Sequence, residues 1–264
     1  MKDLVKISAR PKLESPNMLA AWPGISNVAM IVATYLYRKL KFKGLAEVRA
    51  PHFFDPIGVL VKDSMIEAPQ FPRNNFYYWK NEAGKSDIIL FLAEAQPATK
   101  SYELANCVLD VGLRFHARRV FTCAAALTRI HHTEQPRVWG VGTNQALAQE
   151  LAGNNLVQGG NLQISGLNGL LLGVAKEREI DGVCLLGEVP AYTSQVQNPV
   201  AALAIINVLK EMLAIEINTD ELVQYADEAK KQMKQVAAEA MEEYIDYFTE
   251  PVWEYGEDED EETE

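Results

Sequence analysis
Short apolar runs alternate along this chain with longer stretches in which apolar residues return every three or four positions, a pattern that predicts strands interleaved with helices. Asn17-Met18-Leu19-Ala20-Ala21 reads as a strand ending at Trp22-Pro23-Gly24. Ser26 or Asn27 can then cap a helix that carries Val28, Val32, Leu36 and Leu40 on one face. Arg38, Lys39, Lys41 and Lys43 suit the C-terminus of that helix, which Gly44 is expected to close before a strand at 45–50. Phe76-Tyr77-Tyr78-Trp79 and Asp87-Ile88-Ile89-Leu90-Phe91-Leu92 flank a turn at 81–85 and predict neighbouring antiparallel strands.

Further on, 101–116 reads as a helix, 120–125 as a buried strand and 137–141 as another, and Asn144 can cap a short helix running to Leu151. Gly166, Gly169 and Gly173 line one side of an apolar helix that feeds the strand Val183-Cys184-Leu185-Leu186, which stops at Glu188-Val189-Pro190-Ala191-Tyr192. Asn198-Pro199 supplies a cap and a first-turn proline for a helix at 200–213, where Leu203, Ile206 and Leu209 or Lys210 advance one apolar face. This ordering predicts an α/β domain with a largely parallel sheet, made mixed by the hairpin.

The last helix differs in kind. Asn218-Thr219-Asp220-Glu221 offers an N-cap followed by a glutamate, and Leu222, Ala226, Ala229, Met233, Val236, Ala240 and Tyr244 follow in steps of four and three, a heptad seam. Continued to Phe248 it would be on the order of 40 Å long at 1.5 Å per residue. Two readings are open, an amphipathic helix packed on its own sheet or an interface arm in an oligomer. The expected organisation is an α/β domain at 1–217, this helical segment at 218–249 and a disordered acidic tail at 250–264.

Composition narrows the function classes. With 264 residues, 48% apolar and 23% charged, the chain can bury one large core or two modest ones. The apolar run at 200–213 is shorter than the roughly 20 residues of a membrane span, and residues 1–10 lack the apolar region of a signal peptide. A cytoplasmic protein with no membrane partner is expected. Of the net charge of −11, eight charges come from acids in the last eleven residues, which hold no base. That tail disfavours nucleic acid and anionic lipid; it serves either solubility or docking on a basic partner. Cys107, Cys123 and Cys184 lack metal spacing and sit in apolar contexts, so buried free thiols are expected, with a catalytic thiol as the alternative.

Three places could carry chemistry. At Ser165-Gly166-Leu167-Asn168-Gly169, exposed amides at a helix start could hold a phosphate or carboxylate; the run lacks the lysine of a P-loop, and close helix–sheet approach is the competing reason for the glycines. His131-His132-Thr133-Glu134 could bind a metal or shuttle protons, but no third or fourth ligand stands at a recognisable spacing, so no metal is expected. Glu94 with Gln96-Pro97 follows an apolar strand, where open α/β sheets place ligands, or caps the next helix. The candidate crevice is therefore Gly24, Asn27, Glu94, His132, Gly166, Asn168 and Gly169, with no catalytic residue and no cofactor assigned.

Four of these segments stand in a telling order. They are Trp22-Pro23-Gly24 with Asn27-Val28, Glu94-Ala95-Gln96-Pro97, His132-Thr133 with Pro136, and Gly166-Leu167-Asn168-Gly169 leading through Glu177-Arg178 and Ile180-Asp181 to Gly187-Glu188-Val189-Pro190-Ala191-Tyr192. Together they resemble the PAC2 family, the proteasome assembly chaperone 2-like proteins, over most of 18–217. The resemblance implies an α/β/α domain of the phosphorylase/hydrolase-like type, homo-oligomeric assembly and, in archaeal and eukaryotic relatives, a chaperone role in proteasome assembly rather than catalysis. Bacterial relatives are mostly of unknown function. Members that engage the proteasome can use a C-terminal hydrophobic-tyrosine-any-residue tail, a pattern this chain does not meet, since Thr263 is penultimate and Trp253-Glu254-Tyr255 lies upstream of most of the acids. The expectation is a non-enzymatic assembly chaperone or scaffold acting through homo-oligomer and proteasome-subunit surfaces. The alternatives are a hydrolase- or phosphorylase-like enzyme in which Glu94, His132 and Asn168 converge, and a small-anion-binding protein using the amides near Gly166 and Gly169.

Overall fold
In the strand Asn17–Ala21 successive side chains leave on opposite sides, Met18 and Ala20 into one apolar layer, Leu19 and Ala21 into the other. All four are buried, as a strand covered on both faces requires. The computed structural model describes residues 4–56, 58–82, 86–154 and 156–249, with side chains of the last helix described to residue 238. In chain order the elements are β1 (Val5–Ile7), β2 (Asn17–Ala21), α1 (Val28–Leu40), β3 (Lys43–Val48), β4 (Val61–Lys62), β5 (Met65–Ile66), β6 (Asn74–Trp79), β7 (Ile88–Ala93), α2 (Ser101–Arg114), β8 (Arg119–Thr128), β9 (Val138–Gly142), α3 (Gln145–Ala152), α4 (Leu167–Glu177), β10 (Gly182–Pro190), α5 (Pro199–Met212) and α6 (Asp220–Thr249).

Eight strands make one sheet in the order β1-β3-β6-β7-β2-β8-β10-β9. Its centre, β7-β2-β8-β10, is parallel, with Leu19 opposite Leu90 on one side and Phe121 on the other. The expected hairpin β6-β7 is antiparallel in register, and β9 closes the far edge antiparallel to β10. Helices α1, α3 and α5 cover one face; α2 and α4 cover the other. The result is the mixed α/β architecture expected from the pattern, in the three layers that the family resemblance implies. Strands β4 and β5 form a separate two-stranded sheet.

Local signals were followed unevenly. Asn144 and Asn198 accept from the Leu147 and Ala201 N–H groups, the caps expected of them. Ser26 and Asn27 do not cap α1. Both are left-handed, with φ of 50° and 54°, and neither side chain bonds the helix. Nor does Gly44 end α1: Lys41, at φ 52°, takes the left-handed position, and Gly44 lies within β3 where the register with β6 shifts. The close approach of helix to sheet that the 166-169-173 glycines suggested occurs elsewhere. A Cβ on Gly187 would come within 2.8 Å of the Ala201 carbonyl oxygen on α5, whereas one on Gly173 would meet nothing within 4 Å. Gly166 and Gly169 serve the turn that starts α4, Gly166 with φ 70° and Gly169 against the Ile164 carbonyl.

Helix α6 lies outside the layer of α1 and α5. Its start is fixed by the Asn218 carboxamide, which accepts from the Asp220 N–H, and by an ion pair from Lys39 to Glu221 at 2.8 Å. Of the seam positions, Leu222, Ala226, Ala229 and Met233 are buried within this chain, the last three with Val200 of α5. Val236 is half-buried, and the Ala240 and Tyr244 side chains lie outside those described, as does the acidic tail. No described helix is long and apolar enough to cross a membrane.

Candidate functional site
The C-terminal ends of β2, β7 and β8 open on one side of the molecule, where the connections leaving parallel strands for opposite faces part and leave a crevice. The loop leaving β2 turns through the left-handed pair Ser26 and Asn27 because it is tied to the loop before α5. Ser26 donates from its N–H and its hydroxyl to the Ser194 carbonyl at 3.2 and 3.1 Å, and Asn198 N–H donates to the Ser26 carbonyl at 2.9 Å. Two non-glycine residues in this region hold a strained backbone that the surrounding bonds must sustain.

Gln96, just beyond β7, joins the β2 loop to the start of α4: its Nε2 donates to the Pro23 carbonyl at 2.6 Å and its Oε1 accepts from the Leu167 N–H at 2.8 Å. Gly166 is glycine for the same reason, since a side chain there would strike the Gln96 carboxamide. Between these groups lies a cavity of about 140 Å³, bounded by Gly24, Gln96, Gly166 and Asn168 with Ala124 and Ala125 of β8. Gly24 also borders a second cleft of about 590 Å³ with Ile25, Asn27, Leu127 and Gln195.

The remaining candidates are held apart from this cavity. Glu94 accepts from the Arg73 Nε at 2.6 Å and from the Arg73 N–H at 2.9 Å, and those bonds hold its carboxyl below the usual carboxylate range. It borders a third cleft, of about 440 Å³, with Asn27, Arg38 and Tyr225. The Tyr192 hydroxyl lies 2.9 Å from both the N–H and the Nδ1 of His132. Burial, then the neighbouring His131 and Lys234, push the His132 imidazole below its ordinary pKa. His132 borders none of these three clefts. The Asn168 carboxamide is buried and pairs with the Trp22 backbone.

So the structure brings Gly24, Gly166 and Asn168 together, joins Asn27 to Glu94 at another opening, and leaves His132 on Tyr192. The lining of the small cavity is neutral: carboxamides, glycines, alanines, two isoleucines and the hydroxyl-bearing Ser165. It can shape and hydrogen-bond a small polar group, but its described walls carry no carboxylate, imidazole or thiol. Among the described residues no three His, Cys, Asp or Glu side chains stand where they could hold a metal. The three cysteines are free and buried, with burial raising Cys107 to about 11 and Cys184 to about 12, the reverse of what a nucleophilic thiol needs. Arg73 and Tyr192 were missed as site residues, and Gln96, named beside Glu94, was left out of the crevice, because each acts through a partner 21 to 73 positions away, a distance at which no local spacing speaks.

Comparison with known proteins agrees with the fold. An uncharacterized protein of Methanocaldococcus jannaschii is 29% identical over 231 residues, covering 84% of this chain and 85% of the relative. Among solved structures, Pyrococcus furiosus PbaB, described as an archaeal proteasome activator, is 28% identical with a TM-score of 0.75, covering 88% of this chain and 98% of its own. A PAC2 family protein from Streptomyces avermitilis, 23% identical, has the same fold at a TM-score of 0.72, covering 87% and 99%. The PAC2 family model matches residues 18–237, from the central strand β2 through the half of α6 that packs on α5, and this chain belongs to that family.

Proposed function
We propose that this protein is a non-enzymatic assembly chaperone or scaffold of the proteasome assembly chaperone type, working in the cytoplasm as a homo-oligomer whose surfaces engage proteasome subunits. The observation that carries the proteasome partner in this reading is the likeness across nearly the whole of both chains to PbaB, described as an archaeal proteasome activator; the chaperone role is what the family resemblance implies. The small cavity, whose described walls carry no carboxylate, imidazole or thiol, supports it from the other side, and Asn168 there and Glu94 at the third cleft are each committed to holding loops together. Within this reading the seam of α6 has two parts. Leu222 to Met233 fastens the helix to α5, and the positions from Val236 outward, with Ala240 and Tyr244, supply part of an oligomer or partner surface.

The test is affinity purification of the tagged full chain from its native host, with light scattering on the same preparation. Proteasome subunits recovered with an oligomer of this chain support the reading. A monomer recovered without them overturns it.

A further inference from the structure
His131 and His132, on the loop between β8 and β9, border none of the clefts described above, yet they lie beside Met233, the last fully buried position described on α6. Tyr192, in the single turn Ala191–Thr193 that follows β10, joins the two places. Its oxygen accepts from the His132 N–H at 2.9 Å and lies 2.9 Å from the His132 Nδ1, with the two rings edge to face. Helix α6 rests on that same turn and is pinned to the loop after it, Tyr225 donating to the Gln197 Oε1 and Met233 meeting Asn198. The next residue, Lys234, is exposed and acts electrostatically on His132.

This arrangement suits a neutral imidazole. Because the Tyr192 oxygen already accepts one proton, its own is left for Nδ1, and a ring protonated at Nδ1 cannot take it. A cation at His132 would also stand beside the His131 ring, 4.1 Å away between centroids, and beside the Lys234 ammonium. The carboxylates of the surrounding elements are engaged elsewhere. Glu134 accepts from the His131 N–H at 2.8 Å and acts on Arg137, Glu188 holds Arg137, and Asp227 of α6 pairs with Lys230. The other charged residue of the loop, Arg129, is also a cation. Burial, His131 and Lys234 together keep the His132 pKa below its ordinary 6.5. A histidine whose value is depressed in the docked state stabilises that state while neutral; the contribution is full above about pH 6.5 and is lost as pH falls through the lower, docked value. We propose that His132 is a proton-sensitive catch: neutral, it ties the β8–β9 loop through Tyr192 to the turn that seats α6, and protonated, beside His131 and Lys234, it lets that turn and α6 from Met233 onward loosen. The device belongs to one chain by itself and goes beyond the assembly reading.

Hydrogen exchange on the full chain at about pH 7.5 and about pH 5.5, corrected for the intrinsic pH dependence of exchange, tests it; the lower value stays above the range in which carboxylates such as Glu188 titrate. In the wild type, protection of 191–198 and of α6 from Met233 onward should fall by about two- to fivefold on acidification, the size of a partly exposed charge–charge interaction. His132→Asn, which keeps an acceptor for the Tyr192 hydroxyl but cannot charge, should flatten that response. Lys234→Glu, which offers a carboxylate to the protonated ring, should abolish or invert it, a change that a merely structural role for His132 would not give. NMR titration of the His132 ring should place its midpoint below 6.5. Equal falls in the wild type and His132→Asn, or a wild type whose protection does not change, overturn the proposal, as does a His132 midpoint at or above the ordinary value. None of these outcomes bears on the recovery of proteasome subunits.

Discussion
The side-chain amide of Asn168, at the start of α4, closes two hydrogen bonds on the backbone of Trp22, accepting from its N–H and donating to its carbonyl, both at 3.2 Å. It acts there as one more strand residue would, satisfying a peptide group that β2 leaves behind where its ladder ends. Replacing it by Ala orphans two buried groups, at about 1–3 kcal/mol each. Asn168→Asp is worse, because a carboxylate cannot donate to the Trp22 carbonyl and is itself buried. Urea unfolding should show a lower midpoint with unchanged slope for Asn168→Ala, and a larger drop for Asn168→Asp. Wild-type midpoints in both would refute the assignment.

The glycines of α4 make a contrasting pair. A Cβ on Gly169 collides with the Ile164 carbonyl and backbone, which have no flexible end to move aside. Gly169→Ala is expected to destabilise by about 1–3 kcal/mol. Gly173 faces open space, so Gly173→Ala is expected to be neutral or to stabilise by up to about 1 kcal/mol through helix propensity. Thermal melts of the two variants should shift in opposite directions or not at all for the second. A matching loss in both would mean that the helix packs differently from the geometry described.

Glu188 governs part of the acid sensitivity. It is 2% exposed, and burial alone would raise its carboxyl; bonds from the Arg137 side chain, the Arg137 N–H and the Trp139 indole outweigh that and hold it below the ordinary range. A carboxyl whose folded value is depressed contributes stability that is present above its unfolded value, about 4.3, and is lost as pH falls toward the folded one. The unfolding midpoint of the wild type should therefore decline below about pH 5. Glu188→Gln should start lower at pH 7 and decline less steeply. Parallel curves for the two proteins would remove Glu188 from the account.

The buried half of α6 predicts a packing loss. Met233 lies against Val200 with its sulfur 3.9 Å from the Asn198 Nδ2. Met233→Ala is expected to cost about 2–5 kcal/mol, and Leu209→Ala on the underlying α5 a similar amount. Hydrogen exchange should localise the loss for Met233→Ala to α6 and the 191–198 loop. Protection unchanged along α6 would place the helix off the body of the protein.

How far each element could be foreseen follows from where its determinants lie. Asn144 and Asn198 were legible as caps because a cap is settled within four residues, and β2 was legible as a strand because one buried on both faces shows a short run of continuous apolarity. Ser26 and Asn27 defied the same reasoning, since the carbonyl of Ser194, more than 160 residues away, claims Ser26 and forces the left-handed turn. The order of strands, the tie of Gln96 to Leu167 and the pairing of Glu94 with Arg73 are all long-range choices that no local spacing encodes. The candidate site was therefore half visible: Gly24, Glu94, His132, Gly166 and Asn168 were singled out, but their partners Arg73 and Tyr192 were not, nor was which of them would meet. Residues chosen as potential ligand groups, Asn168 above all, turn out to bond the protein's own backbone.

The position of β2 at the middle of the sheet carries a consequence for how the molecule is made. Its neighbours, β7 and β8, begin some 70 and 100 residues after it, so the earliest long apolar strand to leave the ribosome waits longest for its second partner. At roughly 5–20 residues per second, Met18 to Trp22 waits about 5–20 s before β8 is complete. During that interval this segment is an unshielded apolar strand. The central strand of this PAC2 family member is thus the segment that most needs to be kept from premature contact while the chain is being made.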